Sequence, residues 1–217
     1  QSNLNIIAST GFHKLKFYSK QHWIFDIGLN EFQNILKNEI NTGMYLNTEN
    51  NHPNEQINSK AGIIKTAYSE GNKKHITRYE KLLNATAEVA NDTNTTIMCH
   101  TDKGKGALKV VDILIKKGVD PNSIIICHLD RKADNFRFHY QVAEKQVFLD
   151  YDTIGRFKYH SDEDEVNLIK KMIEYGFEDN ILLSLDTTRE RMKSYGGNIG
   201  LDYINREFIP LLQKSGI

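Results

Sequence analysis

The stretch Thr95–His128, TTIMCHTDKGKGALKVVDILIKKGVDPNSIIICH, decides the fold. It opens on an apolar run, TTIMCH, and closes on a near copy, SIIICH. Neither run alternates polar and apolar residues for long, which is the pattern of strands covered on both faces. Between them, Ala107–Lys117 places Val110, Val111, Leu114 and Ile115 at helical spacing. Strand, crossover helix and strand make a βαβ unit, and such a unit joins parallel strands.

The same alternation extends in both directions. Strand-length runs recur at Leu4–Ser9 (LNIIAS), Ala61–Ala67 (AGIIKTA), Gln146–Asp150 (QVFLD) and Asn180–Asp186 (NILLSLD). Helical spacing recurs in Ile76–Ala90 through Leu82, Leu83, Ala87 and Ala90, and in Asp164–Tyr175 through Val166, Ile169, Met172 and Ile173. Leu201–Lys214 closes the chain as a further helix. Six βα units in 217 residues are about 36 residues each, the usual scale of the unit. The order implies α/β architecture with a parallel sheet, either doubly wound or closed into a barrel. No Gly-rich phosphate loop of the dinucleotide or Walker type follows any strand. No linker divides the chain, so it reads as one domain, 1–217. Asn47–Lys60, polar and Asn-rich with one of three prolines, reads as a surface loop.

Composition bounds the function. The chain is 39% hydrophobic and 26% charged, ordinary for a globular protein. Its 28 basic and 28 acidic side chains cancel, which argues against a broad electrostatic grip on nucleic acid. Two cysteines suit a reducing compartment and exclude a disulfide scaffold. No apolar run approaches the ~20 residues needed to span a bilayer, and QSNLNIIAST has no signal-peptide pattern.

Ligand-type and charged residues fall at the C-terminal end of every run: His13-Lys14, Ser69-Glu70, His100-Thr101-Asp102, His128-Leu129-Asp130-Arg131, Asp150-Tyr151-Asp152 and Asp186-Thr187-Thr188-Arg189. In a βα barrel those ends build the active site. Lys65 lies inside AGIIKTA, where an unpartnered ammonium would be costly. It is either paired with a buried carboxylate, or a neutral amine able to add carbon dioxide and become an anionic, metal-bridging carbamate. His100 and His128 end matching runs, a placement that favours metal ligation. Because strand residues alternate faces, Cys99 and Cys127 are expected to face the helix layer, away from the histidines. Asp186 is either a helix N-cap or a metal ligand that also takes a proton from water. His22, His52, His75, His139 and His160 read as surface residues.

STGFHK (9–14), AGIIKTA (61–67), the two strand-end histidines, FLDYDTIGR (148–156), SLDTTR (184–189) and SYGGNIGLDYINREFIPLL (194–212) together resemble the phosphotriesterase family of the amidohydrolase superfamily. The likeness covers nearly the whole chain. It implies a (β/α)8 TIM barrel with two divalent metal ions, usually zinc. By the same resemblance Lys65 is the carboxylated lysine bridging them, His100 and His128 bind one metal, and Asp186 binds the other and shuttles the proton. A metal-bound hydroxide would then attack the substrate. One departure stands out. The family's first strand carries a His-x-His metal pair, and none occurs here. NIIASTGFHK instead resembles the third strand, so strands 3 to 8 are expected, without two leading βα units and a short tail.

The GFHK form resembles the branch that hydrolyses phosphorylated sugar lactones. Phosphate in βα barrels is commonly held after the seventh and eighth strands, where Arg156, Lys158 and Arg189 lie, with Tyr195 nearby in sequence. Those cations are otherwise solvated surface charge. His13 and Lys14 are candidate lactone contacts. Asp130 and Arg131 are either a pair orienting His128 or a surface salt bridge. The expected activity is opening of a phosphorylated sugar lactone. A lactonase or aryl esterase with weak phosphotriesterase activity, and a non-catalytic barrel that has lost its metal pair, are the alternatives. The expected partner is a small molecule, not nucleic acid or membrane. A cytoplasmic location is expected, and family habit suggests a homodimer.

Overall fold

In the computed structural model, which describes residues 5–49, 51–71 and 73–217, strands and helices alternate along the chain. Strand order follows chain order. The chain forms two compact units, Gln1–Ile125 and Ile126–Ile217.

In the first unit, strands β1 (Ser9–Gly11), β2 (Ile63–Tyr68) and β3 (Ile97–Thr101) pair in parallel. Helices α1 (Leu29–Asn41), α2 (Lys73–Thr93) and α3 (Ala107–Lys116) flank them. Each helix buries one stripe. In α3 it is Ala107, Val110, Val111 and Leu114, the 3–4 residue spacing read from the sequence. Strand β4 (Ile124–Cys127) leads into the second unit. There β5 (Phe148–Tyr151) and β6 (Ile181–Leu183) pair in parallel. Helices α4 (Phe136–Ala143) and α5 (Asp162–Glu174) complete that unit with a last helical segment. The start of α5 is a capping box between Ser161 and Asp164, followed by four acidic residues that suit the positive end of the helix dipole.

Register sets which side chains share a face. Lys65 stands beside Gly11 and Met98, and His100 beside Ala67. Lys65 and His100 therefore project from the same face of this sheet, while Ile64, Ile97 and Cys99, all fully buried, project from the other. The approach of β1 to β2 needs glycine. A Cβ on Gly11 would lie 1.9 Å from the Lys65 carbonyl oxygen, and Gly11 has φ 111°.

The structure departs from the sequence reading in three places. The run LNIIAS is not the first strand, since pairing begins only at Ser9↔Ile63, and Ile6 and Ile7 are 85% and 72% exposed. Leu4 lies outside the described residues. Two helices, α1 and α4, were not singled out by the spacing. The C-terminal helix opens as a π turn, Ile204–Phe208, before α6 (Ile209–Lys214). Pro210 has no N–H to give the carbonyl four residues back, which fits a widened turn there. Asn47–Lys60 is a loop as expected, with one bridge between Tyr45 and Gln56; Asn50 lies outside the described residues. Among the described residues no helix is long and apolar enough to cross a membrane.

Candidate functional site

In the first unit the candidate residues gather at the C-terminal ends of β1, β2 and β3. Lys65 is half-buried rather than buried, because its face of the sheet opens onto a cavity of about 220 Å³ that His13 and Tyr18 also line. The His13 ring meets the His100 ring edge to face at 4.9 Å, and the His13 N–H donates to the Tyr18 hydroxyl at 2.8 Å. Lys14 is buried, and its Nζ pairs with Asp102 Oδ1 at 2.8 Å. Asp102 also accepts from Ser69 at 2.6 Å and faces His100 Nε2 at 3.4 Å. Burial would raise the Asp102 carboxyl, yet bonds from Lys14, Ser69 and His100 hold it well below the usual carboxylate range. Asp102 is thus an acceptor that organises Lys14 and His100, a role the sequence did not reveal.

A larger cavity of about 610 Å³ adjoins His13 and is lined by Phe17, Tyr18, His22, Trp23 and Thr48. His22 is buried, not a surface residue. Its Nδ1 accepts the Ile24 N–H, and its Nε2 and Trp23 Nε1 both donate to the Thr48 carbonyl, which pins the Asn47–Lys60 loop.

In the second unit Asp152, read from the sequence only as one of the strand-end carboxylates, is the organiser. It accepts the His128 main-chain N–H at 2.9 Å and faces His128 Nδ1 at 2.7 Å. With Nδ1 engaged there, Nε2 is the ring atom a metal could take, the arrangement in which a carboxylate backs a ligating imidazole. His128, Asp152 and Asp186 each offer a donor atom within 4.8 Å of the others. Asp186 is held by Arg131 Nη2 at 2.6 Å and by Arg156 Nη1. Both arginines lie against the Tyr159 ring at 5.1 and 5.5 Å, and Lys158 joins them at 5.1 Å. Arg189 lies over the exposed Tyr195 ring at 5.7 Å. Arg191, also unforeseen, ties down the loop after β6 by donating to the carbonyls of Asp186 and Gly155 at 3.1 and 3.2 Å.

Two expectations are corrected here. Asp130 and Arg131 are not a pair. Arg131 serves Asp186, whereas Asp130 accepts Thr153 N and Oγ1, each at 2.5 Å. Cys127 sits on the carboxylate side, with Sγ and the carboxylates of Asp150 and Asp152 all within 4.8 Å of one another. Alternation fails because β4 ends at Cys127 and His128 has φ 69°, a left-handed backbone that turns its side chain out of register. Cys99 does face away from its histidine, and burial pushes its thiol up to about 11.

A divalent cation fits this donor set. Burial above all, then the neighbouring Asp150 and Asp186, raise the Asp152 carboxyl to about 8 against the pull of Arg131 and the His128 N–H. The carboxyl oxygens of Asp152 and Asp186 thus stand beside an imidazole already oriented through Nδ1, a mixed oxygen and nitrogen set of the kind divalent ions take. Lys65 and His100 add nitrogen donors of their own in the first unit.

Two more histidines read as surface residues are inside. His160 has a side chain only 8% exposed. His139 is fully buried, with Nε2 facing the Lys132 carbonyl at 3.2 Å and Nδ1 facing the Tyr151 hydroxyl at 3.0 Å. Burial lowers His139 to about 4 from an ordinary 6.5. The unfolded chain then binds a proton that the folded chain refuses between those values. Stability present above pH 6.5 should fall as the pH drops toward 4, by on the order of 3 kcal/mol from this group. Urea unfolding at pH 7, 5.5 and 4.5 should show a slope that His139→Gln flattens. An unchanged slope in the variant would assign the acid sensitivity elsewhere.

Known proteins agree with this architecture. The model of the Phosphotriesterase family matches residues 1–217. A phospho-furanose lactonase of Mycoplasmopsis synoviae (strain 53) is 34% identical over 221 residues, 98% of this chain and 62% of the relative. The crystal structure of an amidohydrolase from Mycoplasma synoviae superposes with a TM-score of 0.89 at 33% identity, covering 97% of this chain and 61% of that one. The phosphotriesterase homology protein of Escherichia coli, crystallised with phosphate in its active site, gives 0.86 at 28% identity over 99% and 69%. The chain thus spans less than two thirds of the lactonase's length. Its six strands are consistent with strands 3 to 8 of the (β/α)8 barrel of these relatives.

Proposed function

The chain belongs to the phosphotriesterase family, and from that premise we propose that the protein is a metal-dependent hydrolase that opens a phosphorylated sugar lactone, a furanose lactone phosphate. The observation that carries this reading is the meeting of the donor group His128, Asp152 and Asp186 with the cations Arg131, Arg156 and Lys158 around Tyr159. The lactonase activity named for the Mycoplasmopsis synoviae relative and the phosphate bound by the Escherichia coli protein support it.

Lys65 as a carbamate, His100, His128 and Asp186 would hold two divalent ions, zinc by the habit of the family. When bound, the ions supply Lewis acidity and an activated water. His128 is presented by Asp152. Asp186 accepts the proton of the attacking water at a carboxylate oxygen, steadied by Arg131 and Arg156. Arg156 and Lys158, with Arg189 and Tyr195, bind the substrate phosphate, a forked guanidinium being well matched to its oxygens. His13 and Lys14 contact the lactone ring. Arg131 and Asp130 support His128 from behind, through Asp186 and Thr153 respectively. The protein works as a single barrel domain on a small molecule rather than on nucleic acid or membrane, in the cytoplasm and as a homodimer.

The test is a substrate pair at fixed metal content in the full-length protein. Two charge-assisted bonds to phosphate should make the phosphorylated lactone at least about 100-fold better in kcat/KM than the same lactone without phosphate. Equal rates would remove Lys158 and Arg189 from the site and favour a general lactonase or aryl esterase.

A further inference from the structure

Behind β5, Asp130, His160 and Glu165 bring donor atoms within 4.8 Å of one another. Asp130 and Glu165 have no exposed surface. Two hydrogen bonds bear on the protons of the histidine between them. His160 Nδ1 faces the Ser161 carbonyl at 2.9 Å, which can only accept, so Nδ1 carries a proton. With Asp130 as a carboxylate, the Thr153 hydroxyl donates to it and accepts from His160 Nε2 at 2.9 Å. Nε2 also faces Glu165 Oε2 at 3.1 Å. In that state both ring nitrogens donate, and the ring is an imidazolium. Its titration agrees: burial alone would lower it, but the Glu165 carboxylate and the Ser161 carbonyl raise it to about 9.

The clamp has a direction. Glu165 sits on the first turn of α5 and is backed by that rigid element. His160 passes its grip to Thr153, and Asp130 holds Thr153 by both main chain and side chain. Thr153 directly follows Asp152, the acceptor for both His128 donors, and Asp130 lies two residues after His128. One threonine thus joins the turn that carries His128 to the carboxylate that orients it.

We propose that His160, which stands beside the Glu165 carboxylate, is a positioning residue for His128, acting through Thr153 and Asp130 on the Asp152 carboxylate. The inference rests on the reading of His128 as a metal ligand, but its geometry can be tested without metal. In the full-length, metal-free protein, ¹⁵N NMR should show His160 protonated on both ring nitrogens at pH 7 and His128 with a bonded Nδ1–H. His160→Gln and the near-isosteric Thr153→Val should both shift the His128 Nδ1 signal toward that of an unbonded ring, while Thr153→Ser leaves it in place. Zinc affinity, measured by chelator competition, should fall about 10- to 100-fold in the first two variants and stay within about twofold in the third, the scale seen when groups behind metal ligands are removed. If His160→Gln and Thr153→Val only lower the melting temperature, with the His128 signal and zinc affinity as in wild type, His160 is structural and the proposal is overturned. If wild type binds no zinc, the hydrolase reading fails, and the His128 signal still decides the positioning role.

Discussion

Lys65→Ala should abolish turnover by the full-length protein and strip it of metal while leaving it folded. The fold should survive because Lys65 holds the sheet through its main chain. Its carbonyl accepts the Phe12 N–H at 2.9 Å, and its register with Gly11 and Met98 needs no particular side chain. What the substitution removes is a nitrogen on the same sheet face as His100. If that nitrogen carries a bridging carbamate, its loss removes a ligand shared by both ions. The stabilisation that metals provide to developing charge is several kcal/mol, so activity should fall at least about 100-fold. Elemental analysis and a lactone assay on the same preparation check it. Native metal content together with full activity would refute the carbamate.

Asp152→Ala should be the most damaging change in the second unit. It deletes the acceptor of two buried His128 donors at once, the main-chain N–H and Nδ1. Leaving such groups unsatisfied costs about 1–3 kcal/mol, and losing the carboxylate behind a ligating histidine costs about 10–100-fold in metal affinity. Denaturant unfolding and zinc titration should both register the loss, with Asp152→Asn intermediate because one acceptor oxygen remains. A variant with wild-type stability and wild-type zinc affinity would show that His128 is oriented by something else.

Much of the candidate site was legible because strand ends can be found from local pattern. His100, His128 and Asp186 were recognised because each follows a short apolar run, and His128 and Asp186 prove to share one donor cluster. Asp150 and Asp152 were both recognised as strand-end carboxylates of FLDYDT, but neither was given a role. Nothing local distinguishes the carboxylate that reaches a histidine 24 residues earlier. Arg156 was read as either a phosphate contact or solvated surface charge, and the structure puts it on Asp186, 30 residues later. The buried His22, His139 and His160 were misread for a related reason. Each lies in a polar stretch, and its burial depends on partners such as Thr48, Tyr151 and Thr153 that other elements deliver.

By itself the sequence determined the parallel α/β order, because hydrophobic periodicity and strand length are properties of neighbouring residues. It also determined which strand ends carry ligand-type groups. Only the tertiary structure decided how those groups are oriented. The left-handed backbone at His128 breaks strand alternation after Cys127, whose Sγ lies on the carboxylate side, and the His160 ring meets the hydroxyl of Thr153 beside Asp152. Orientation is set by hydrogen bonds between residues far apart in the chain, and no local spacing encodes them.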